Sequence, residues 1–213
     1  MSYAIKEMFI TLQGEGAQTG RTSVFCRFTG CNLWSGREQD RDTAACRFCD
    51  TDFIGTNGEG GGRFKTAELL AEALEACWSR TVKNTGQRYV VFTGGEPLLQ
   101  LDDALIQAVK AFGFEIAVET NGTIIAPHGV DWICVSPKPD SKLIQTQGSE
   151  LKLVYPQKEL SPEMFDTLDF KHFWLQPMDG PNRFENTQKA VAFCLANPRW
   201  RLSLQTHKMI GIP

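Results

Sequence analysis

The sequence predicts an α/β fold in which mostly parallel strands form an incomplete, open βα barrel. Its 213 residues alternate short runs rich in β-branched and aromatic residues with longer runs of helical periodicity, a pattern typical of βαβ units. Polar motifs follow several predicted strands, at the end where parallel sheets place their ligands. Because a complete eight-stranded barrel typically needs about 250 residues, a chain of this length favours an open version.

The predicted elements follow in chain order from these two periodicities. We expect strands, each a short apolar run, at residues 23–29, 88–93, 114–119, 131–136, 150–154, 172–176 and 200–205. Between some of them, apolar residues at helical spacing predict helices at 66–79, 101–111 and 186–195. No shift in composition marks a boundary, so one domain is expected over 1–213, with a polar loop insertion at 32–45 and a glycine-rich surface loop at 55–62.

Composition and charge exclude several classes of function. The formal net charge is −3 with Lys and Arg scattered along the chain, so the clustered basic residues of a nucleic-acid-binding protein are missing. No apolar run reaches the length of a membrane span, and no secretory signal precedes the first strand. The sequence therefore predicts a cytoplasmic protein without a nucleic-acid or membrane partner.

The seven cysteines divide into two groups. An odd count without an export signal favours reduced thiols over a disulfide framework. Four cysteines lie inside apolar periodic segments and are expected to pack as small hydrophobic residues; they are Cys26, Cys77, Cys134 and Cys194. The other three form the most informative pattern in the chain.

Cys31, Cys46 and Cys49 are candidate ligands of an iron–sulfur cluster. The spacing Cys46-x-x-Cys49 alone also serves zinc sites and redox dithiols, but structural zinc normally takes four ligands, and no second pair or nearby histidine accompanies these three. A cubane cluster is normally held by four thiolates. Three cysteines would therefore leave one iron free to bind another molecule.

The segment 29–33 followed by 46–51 resembles the cluster loop of the radical S-adenosylmethionine (SAM) superfamily. Members usually have three residues between the first two cysteines, whereas fourteen separate Cys31 from Cys46 here. Phe48 keeps the aromatic residue that usually precedes the last cysteine. We expect the longer gap to change the conformation of the loop and to leave its three ligands in place.

A wider resemblance narrows this to one family, the 7-carboxy-7-deazaguanine synthases. Segments 7–16, 25–33, 49–51 and 92–97 are similar to its hallmarks, and the match runs from near the N-terminus to the last residues. The resemblance implies a radical-SAM-type open barrel and a carbon–nitrogen lyase. The implied reaction contracts the ring of 6-carboxy-5,6,7,8-tetrahydropterin, with loss of ammonia, to 7-carboxy-7-deazaguanine on the route to queuosine and other 7-deazapurines.

The resemblance also implies three cofactors. A 4Fe-4S cluster on the three cysteines would bind and cleave SAM, so that a 5′-deoxyadenosyl radical takes hydrogen from the carbon that bears the carboxylate. Mg²⁺ would be held by Thr51 and by substrate oxygens, which suits a hard cation with few protein ligands. The implied SAM-binding residues are Phe48, Cys49, Asp50, Gly95, Glu96, Glu119, Asn121, Ser136, Pro137, Lys138, Gln176, Pro177, Met178 and Asp179.

The carboxypterin substrate would lie among residues from both ends of the chain. Glu15 can accept from adjacent N–H donors of a pterin edge, and Arg27 offers a planar fork to a carboxylate. The apolar C-terminal segment is expected to fold back and bring Pro213 near the substrate. The implied substrate-binding residues are Leu12, Gln13, Gly14, Glu15, Arg27, Thr93, His207 and Pro213.

Partners and alternatives complete the set of expectations. The resemblance implies a homodimer and an external electron donor such as a flavodoxin or a ferredoxin. A glycyl-radical activating enzyme shares the same core but acts on a protein, and would not need the set formed by Gln13, Glu15 and Arg27. A non-catalytic interaction module with zinc on its cysteines is an alternative from another class.

Overall fold

One nine-stranded sheet forms the framework of the protein. A computed structural model describes residues 2–83 and 86–213. The strands lie in the order β3-β1-β2-β4-β5-β6-β7-β8-β9, and all pairs from β2 to β9 are parallel. The strands are β1 (Tyr3–Leu12), β2 (Thr22–Phe28), β3 (Gly62–Phe64), β4 (Arg88–Gly94), β5 (Phe114–Thr120), β6 (Trp132–Val135), β7 (Gln147–Tyr155), β8 (Asp169–Pro177) and β9 (Trp200–Leu202).

The sheet does not close into a barrel within the described residues. Strand β1 pairs antiparallel with both β2 and β3, which leaves β3 at one edge and β9 at the other. The predicted α/β fold with an open, mostly parallel barrel is therefore confirmed. The seven predicted strands are present with shifted ends, and the last of them ends at Leu202 instead of residue 205.

Three longer helices cover one face of the sheet, and a short one follows the last strand. They are α1 (Ala67–Thr81), α2 (Asp103–Ala111), α3 (Arg183–Ala196) and α4 (Thr206–Ile210). Thr66 and Asp102 cap α1 and α2 by accepting from backbone N–H groups of the first turn, which satisfies donors that have no partner within the helix. The first three helices agree with the predicted ones, whereas the short α4 was not predicted.

The two faces of the sheet have different chemistry. Residues that point toward the helices form two apolar clusters, one around Leu74, Val90 and Ile116 and the other around Leu151 and Leu175. Because side chains alternate across a strand, the neighbouring residues point toward the inside of the open barrel. Many of these are polar or charged, so the sheet presents functional groups to its concave side.

Strands β1 and β3 are the two strands that the sequence pattern missed, and β1 is the longer of them. Its register against β2 shifts between Ile5 and Glu7, and such a bulge breaks the period of two that identifies a strand. The glycine-rich segment 55–62 lies along this strand, because Gly58 N donates to Lys6 O at 2.9 Å and Met8 N donates to Glu59 O at 2.6 Å. A Cβ on Gly61 would lie 2.3 Å from Lys6 O, so the close approach requires glycine. The prediction of a surface loop there was incomplete.

No helix in residues 2–83 and 86–213 is both long enough and apolar enough to cross a bilayer.

Candidate active site

A cavity of about 680 Å³ opens at the carboxyl ends of the parallel strands. This volume lies in the range of sites that hold cofactors and small molecules. Its wall includes Gln13 and Glu15 from the β1–β2 connection, Cys46 and Cys49 from the cysteine loop, and Lys208 from α4. Segments distant in sequence therefore meet at one site because the sheet brings their strand ends together.

The three candidate cluster cysteines lie together beside this cavity. All three are free thiols, and Cys31 and Cys49 pack against the same small core of Trp34, Ala44 and Phe53. The thiol of Cys46 donates to Cys49, which lowers the pKa of Cys49 to about 6. A low thiol pKa favours the thiolate, the form that binds metals.

Among the described residues, the three thiols do not all lie within 4.8 Å of one another. A cubane carries its irons at separate corners, so thiolates that are further apart can each bind a different iron.

Gly95 joins the end of β4 to the cysteine loop. Glu96 N donates to Gly30 O at 2.9 Å, and a Cβ on Gly95 would lie 2.3 Å from that oxygen and 2.6 Å from Cys31 Cβ. Only a glycine permits this contact between the strand end and the first candidate ligand.

The substitution Gly95→Ala is expected to displace the loop that carries Cys31. The added methyl meets backbone on one side, so the free energy of unfolding should fall by about 1–3 kcal/mol. Thermal denaturation and iron content measure the two effects. Gly86→Ala is the matched control, because no heavy atom of the residues that the structure describes lies within 4 Å of its Cβ position; equal iron content and melting temperature in both variants would contradict this account.

Glu96 has a different environment from the one predicted. Its carboxylate is fully buried and accepts from Leu98 N, Thr120 Oγ1 and Asn121 N at 2.8–3.0 Å. Burial raises its pKa. The side chain lies outside the cavity lining and ties β4 to β5, so the geometry does not support a side-chain contact to a ligand, and its role with SAM stays a prediction.

Residues of the C-terminal segment hold the turn formed by Gln13, Gly14 and Glu15 through hydrogen bonds. Thr206 donates to Gly14 O through both its backbone N–H and its hydroxyl, at 2.9 Å each. Gln205 Nε2 donates to Glu15 Oε1 at 2.9 Å. A Cβ on Gly14 would lie 2.1 Å from His207 Nδ1, so glycine lets the histidine pack on this turn.

A buried lysine lies beneath the same turn. Lys152 Nζ donates to Glu15 Oε2 at 2.5 Å and to Glu119 Oε2 at 2.8 Å, and its side chain is 5% exposed. Burial alone would raise the pKa of Glu15, but the Lys152 ammonium and the Gln205 donor lower it to about 2. Sequence reasoning missed Lys152, since its spacing of 137 residues from Glu15 leaves no local signal.

Glu119 has neighbours that belong to the predicted substrate group. It accepts from Lys152 and from Gln13 Nε2, the latter at 3.3 Å, and burial raises its pKa. Asn121 donates to Asn32 Oδ1 at 3.0 Å and so holds the loop insertion. Both residues line the cavity, but their predicted contact with a ribose stays a prediction.

Arg27 and Thr51 line the cavity at the end of β2 and after the cysteine loop. Glu7 Oε1 accepts from Arg27 Nε at 2.7 Å, a contact that orients the guanidinium and leaves its terminal nitrogens without a carboxylate partner among the described residues. Thr51 is the only protein residue predicted to bind Mg²⁺. Its role with Mg²⁺ stays a prediction.

Ser136 and Lys138 line the cavity after β6, and Lys208 lines it from α4. Lys138 Nζ donates to the backbone oxygen and the hydroxyl of Ser136 at 2.8 and 2.6 Å. Lys208 Nζ lies between Asp50, at 2.8 Å, and Asp179, at 2.6 Å. This contact connects the cysteine loop to the segment after β8 across the mouth of the cavity.

Neutralising Lys208 should loosen the C-terminal segment over the site. Two partly exposed ion pairs contribute roughly 0.2–1 kcal/mol each, so Lys208→Gln is expected to raise the KM for SAM up to about tenfold. Steady-state kinetics at two salt concentrations measure this, because salt screens exposed pairs. Lys189→Gln removes an exposed pair on α3 and is the control; an identical KM in both variants would contradict the role of Lys208.

The structure brings nearly all of the predicted site residues to one cavity. Three of them, all in the described part of the chain, lie outside its lining: Cys31, Glu96 and Pro137. The others line it, namely Leu12, Gln13, Gly14, Glu15, Arg27, Cys46, Phe48, Cys49, Asp50, Thr51, Thr93, Gly95, Glu119, Asn121, Ser136, Lys138, Gln176, Pro177, Met178, Asp179, His207 and Pro213.

Known proteins are similar to this chain over its full length. The radical SAM superfamily model matches residues 43–138 and begins inside the gap between Cys31 and Cys46. The chain is 65% identical to the 7-carboxy-7-deazaguanine synthase of Caulobacter vibrioides and 63% identical to that of Bordetella pertussis. The protein of the same name from Bacteroides thetaiotaomicron is 39% identical. Each alignment covers 100% of both chains.

A solved structure shows the same architecture. The crystal structure of QueE from Escherichia coli superimposes with a TM-score of 0.71 at 28% identity, and the match covers 96% of this chain and 94% of that one. The full-length identity to the curated relatives places the sequence well inside their group. The chain therefore belongs to the 7-carboxy-7-deazaguanine synthase family of radical SAM enzymes.

Proposed function

We propose that the protein converts 6-carboxy-5,6,7,8-tetrahydropterin to 7-carboxy-7-deazaguanine with loss of ammonia. The observation that carries this proposal is a single cavity with two chemically different walls. One wall has thiols and strand-end backbone, and the other has Gln13, Glu15 and Arg27. A site that must hold a cofactor beside a charged bicyclic substrate needs both.

The thiols of Cys31, Cys46 and Cys49 fit a 4Fe-4S cluster with one open iron. When bound, the cluster and SAM supply the reductive cleavage that gives a hydrogen-abstracting radical. The protein orients these groups and excludes water from the site. Gly94 lets the end of β4 pack closely against β2, because a Cβ on Gly94 would lie 2.5 Å from Phe28 O.

Glu15 and Arg27 are proposed to orient the pterin. Glu15 is held ionised, and both its oxygens already accept from the protein, so their remaining lone pairs can accept from the N–H groups of the pterin edge. Arg27 offers its terminal nitrogens to the substrate carboxylate in a bidentate contact. Opposite ends of the substrate would thus be fixed by opposite charges.

Mg²⁺ is proposed to bind between Thr51 and oxygens of the substrate. A threonine hydroxyl as the only protein ligand suits a cation that keeps several waters. Asp52 also lines the cavity, and its carboxylate accepts from Lys6 Nζ at 2.7 Å and from Ile54 N at 3.0 Å, contacts that orient the segment after Thr51.

The wider biological context rests on the family resemblance. We include in the proposal a role in queuosine and 7-deazapurine biosynthesis, a cytoplasmic homodimer, and an external reductant such as a flavodoxin or a ferredoxin. We also propose that residues 1–213 act as one radical SAM domain with an insertion at 32–45.

An anaerobic turnover assay tests the proposal. Protein reconstituted with iron and sulfide receives reductant, SAM, the carboxypterin and Mg²⁺, and the product is identified by mass spectrometry. We expect the deazaguanine together with methionine and 5′-deoxyadenosine. Cofactor cleavage without a new base would reject the substrate, and a colourless protein that contains zinc without sulfide would reject the enzyme.

A further inference from the structure

A cluster of ionisable side chains lies inside the open barrel, and three of its members, Glu15, Glu119 and Lys152, line the cavity. Lys152 on β7 reaches Glu15 from the β1–β2 connection and Glu119 from β5. Glu150 lies two residues before Lys152 on β7, so its side chain is on the same face of the sheet. It accepts from Ala17 N at 2.9 Å and from Trp132 Nε1 at 3.2 Å. Three carboxylates therefore share the barrel interior with one ammonium.

The burial of this cluster makes the lysine necessary. The side chains of Glu15 and Glu119 are each 17% exposed, and that of Lys152 is 5% exposed. An ionised carboxylate in such a place requires an opposite charge or strong hydrogen-bond donors. For Glu15, Gln205 supplies one donor and Lys152 supplies the charge.

We propose that Lys152 is a positioning residue that keeps Glu15 ionised and fixed in the orientation that receives the pterin edge. It touches Glu15 through the oxygen that Gln205 leaves open, so the two donors together determine the plane of the carboxylate. This inference rests on the proposed function, because it assumes that Glu15 binds the substrate.

Other groups act on the same carboxylate and must be included in any pH argument. Burial alone would lower the pKa of Lys152, but its thiol and carboxylate neighbours raise it well above the ordinary value, so the ammonium persists. Burial lowers the pKa of His207. The ionisable groups that face Glu15 and Lys152 are Glu119 on β5, Cys134 on β6, Glu150 on β7 and His207 on α4.

The sign of the expected pH effect follows from the lowered pKa of Glu15. A carboxyl group with a pKa of about 2 stays ionised throughout the range in which the protein is studied. Without Lys152, burial would raise that pKa, and the carboxyl would take up a proton as the pH falls toward acidic values. Pterin binding should then weaken on the acid side, whereas the wild type stays constant there.

Binding of the carboxypterin, followed by fluorescence between acidic and neutral pH, tests the proposal. We expect Lys152→Gln to raise the Kd by about 30-fold or more, as for truncation of a buried charge pair. The Kd of this variant should also increase further as the pH falls, which the Kd of the wild type should not. Lys171→Gln, an exposed residue on β8, is the matched control and should bind as the wild type does. A wild-type Kd throughout this pH range in Lys152→Gln would overturn the proposal.

A double-mutant cycle separates this proposal from the proposed function. If Lys152 acts through Glu15, the variant Glu15→Gln with Lys152→Gln should lose no more affinity than Glu15→Gln alone; additive losses would overturn the inference. Unchanged pterin binding in Glu15→Gln would instead reject the proposed substrate contact. Should Lys152→Gln not fold, Lys152→Arg keeps the charge and should bind the pterin with the same affinity at acidic and neutral pH, as the wild type does; binding that weakens toward acidic pH in that variant counts against the proposal.

Discussion

Replacing Cys46 with serine is expected to remove the iron–sulfur cluster and to lower product formation below detection. A serine hydroxyl is not ionised at neutral pH, so it is a poor ligand where the thiolate is the binding form. Cys46 also donates to Cys49 and lowers the pKa of that thiol. The substitution therefore removes one ligand and disturbs a second. Iron and sulfide analysis, the visible absorbance and turnover measure the effect together.

Cys194→Ser provides the control for this experiment. Cys194 is a half-buried thiol on α3, where it packs against the second apolar cluster and away from the cavity. Its variant should keep the cluster and turn over at the wild-type rate. Retention of a four-iron cluster and of activity in Cys46→Ser would contradict the assignment of the three ligands.

Replacing Arg27 with lysine should lower kcat/KM for the carboxypterin by about 100-fold or more. Lysine keeps the charge but loses the planar fork that binds a carboxylate through two parallel hydrogen bonds. It also loses the contact from Nε to Glu7, 2.7 Å long, that orients the side chain. A 100-fold loss corresponds to about 2.7 kcal/mol, which matches the roughly 1.5–3 kcal/mol of a hydrogen bond to a charged group.

Two comparisons make the Arg27 result specific. Arg63→Lys changes an exposed arginine on β3, outside the cavity lining, and should leave the kinetics unchanged. A pterin without the carboxylate should bind equally to the wild type and to Arg27→Lys. A large loss of affinity for that analogue in the variant would mean that Arg27 does not recognise the carboxylate.

The fold was predictable where the sequence has a clear period. The strands β2 and β4 to β8 are short apolar runs, and helices of clear periodicity lie between some of them. Strand β1 was not predictable in the same way, because the bulge between Ile5 and Glu7 interrupts its alternation. The short α4 at Thr206–Ile210 has too few residues to show a helical period.

The residues that line the cavity were largely predictable, but their contacts were not. The family resemblance identified Gln13, Glu15 and Arg27. The partners that fix them come from distant segments, such as Glu7, Lys152 and Gln205. Glu96 is a motif residue whose carboxylate accepts hydrogen bonds from backbone N–H groups instead of lining the cavity.

The measurement that tests the central claim most directly uses a carboxypterin that carries deuterium on the carbon bearing the carboxylate. The account predicts that one deuterium appears in 5′-deoxyadenosine and that its amount follows that of the deazaguanine product. Unlabelled 5′-deoxyadenosine, formed while the deazaguanine accumulates, would contradict the assignment of this cavity to hydrogen abstraction from that carbon.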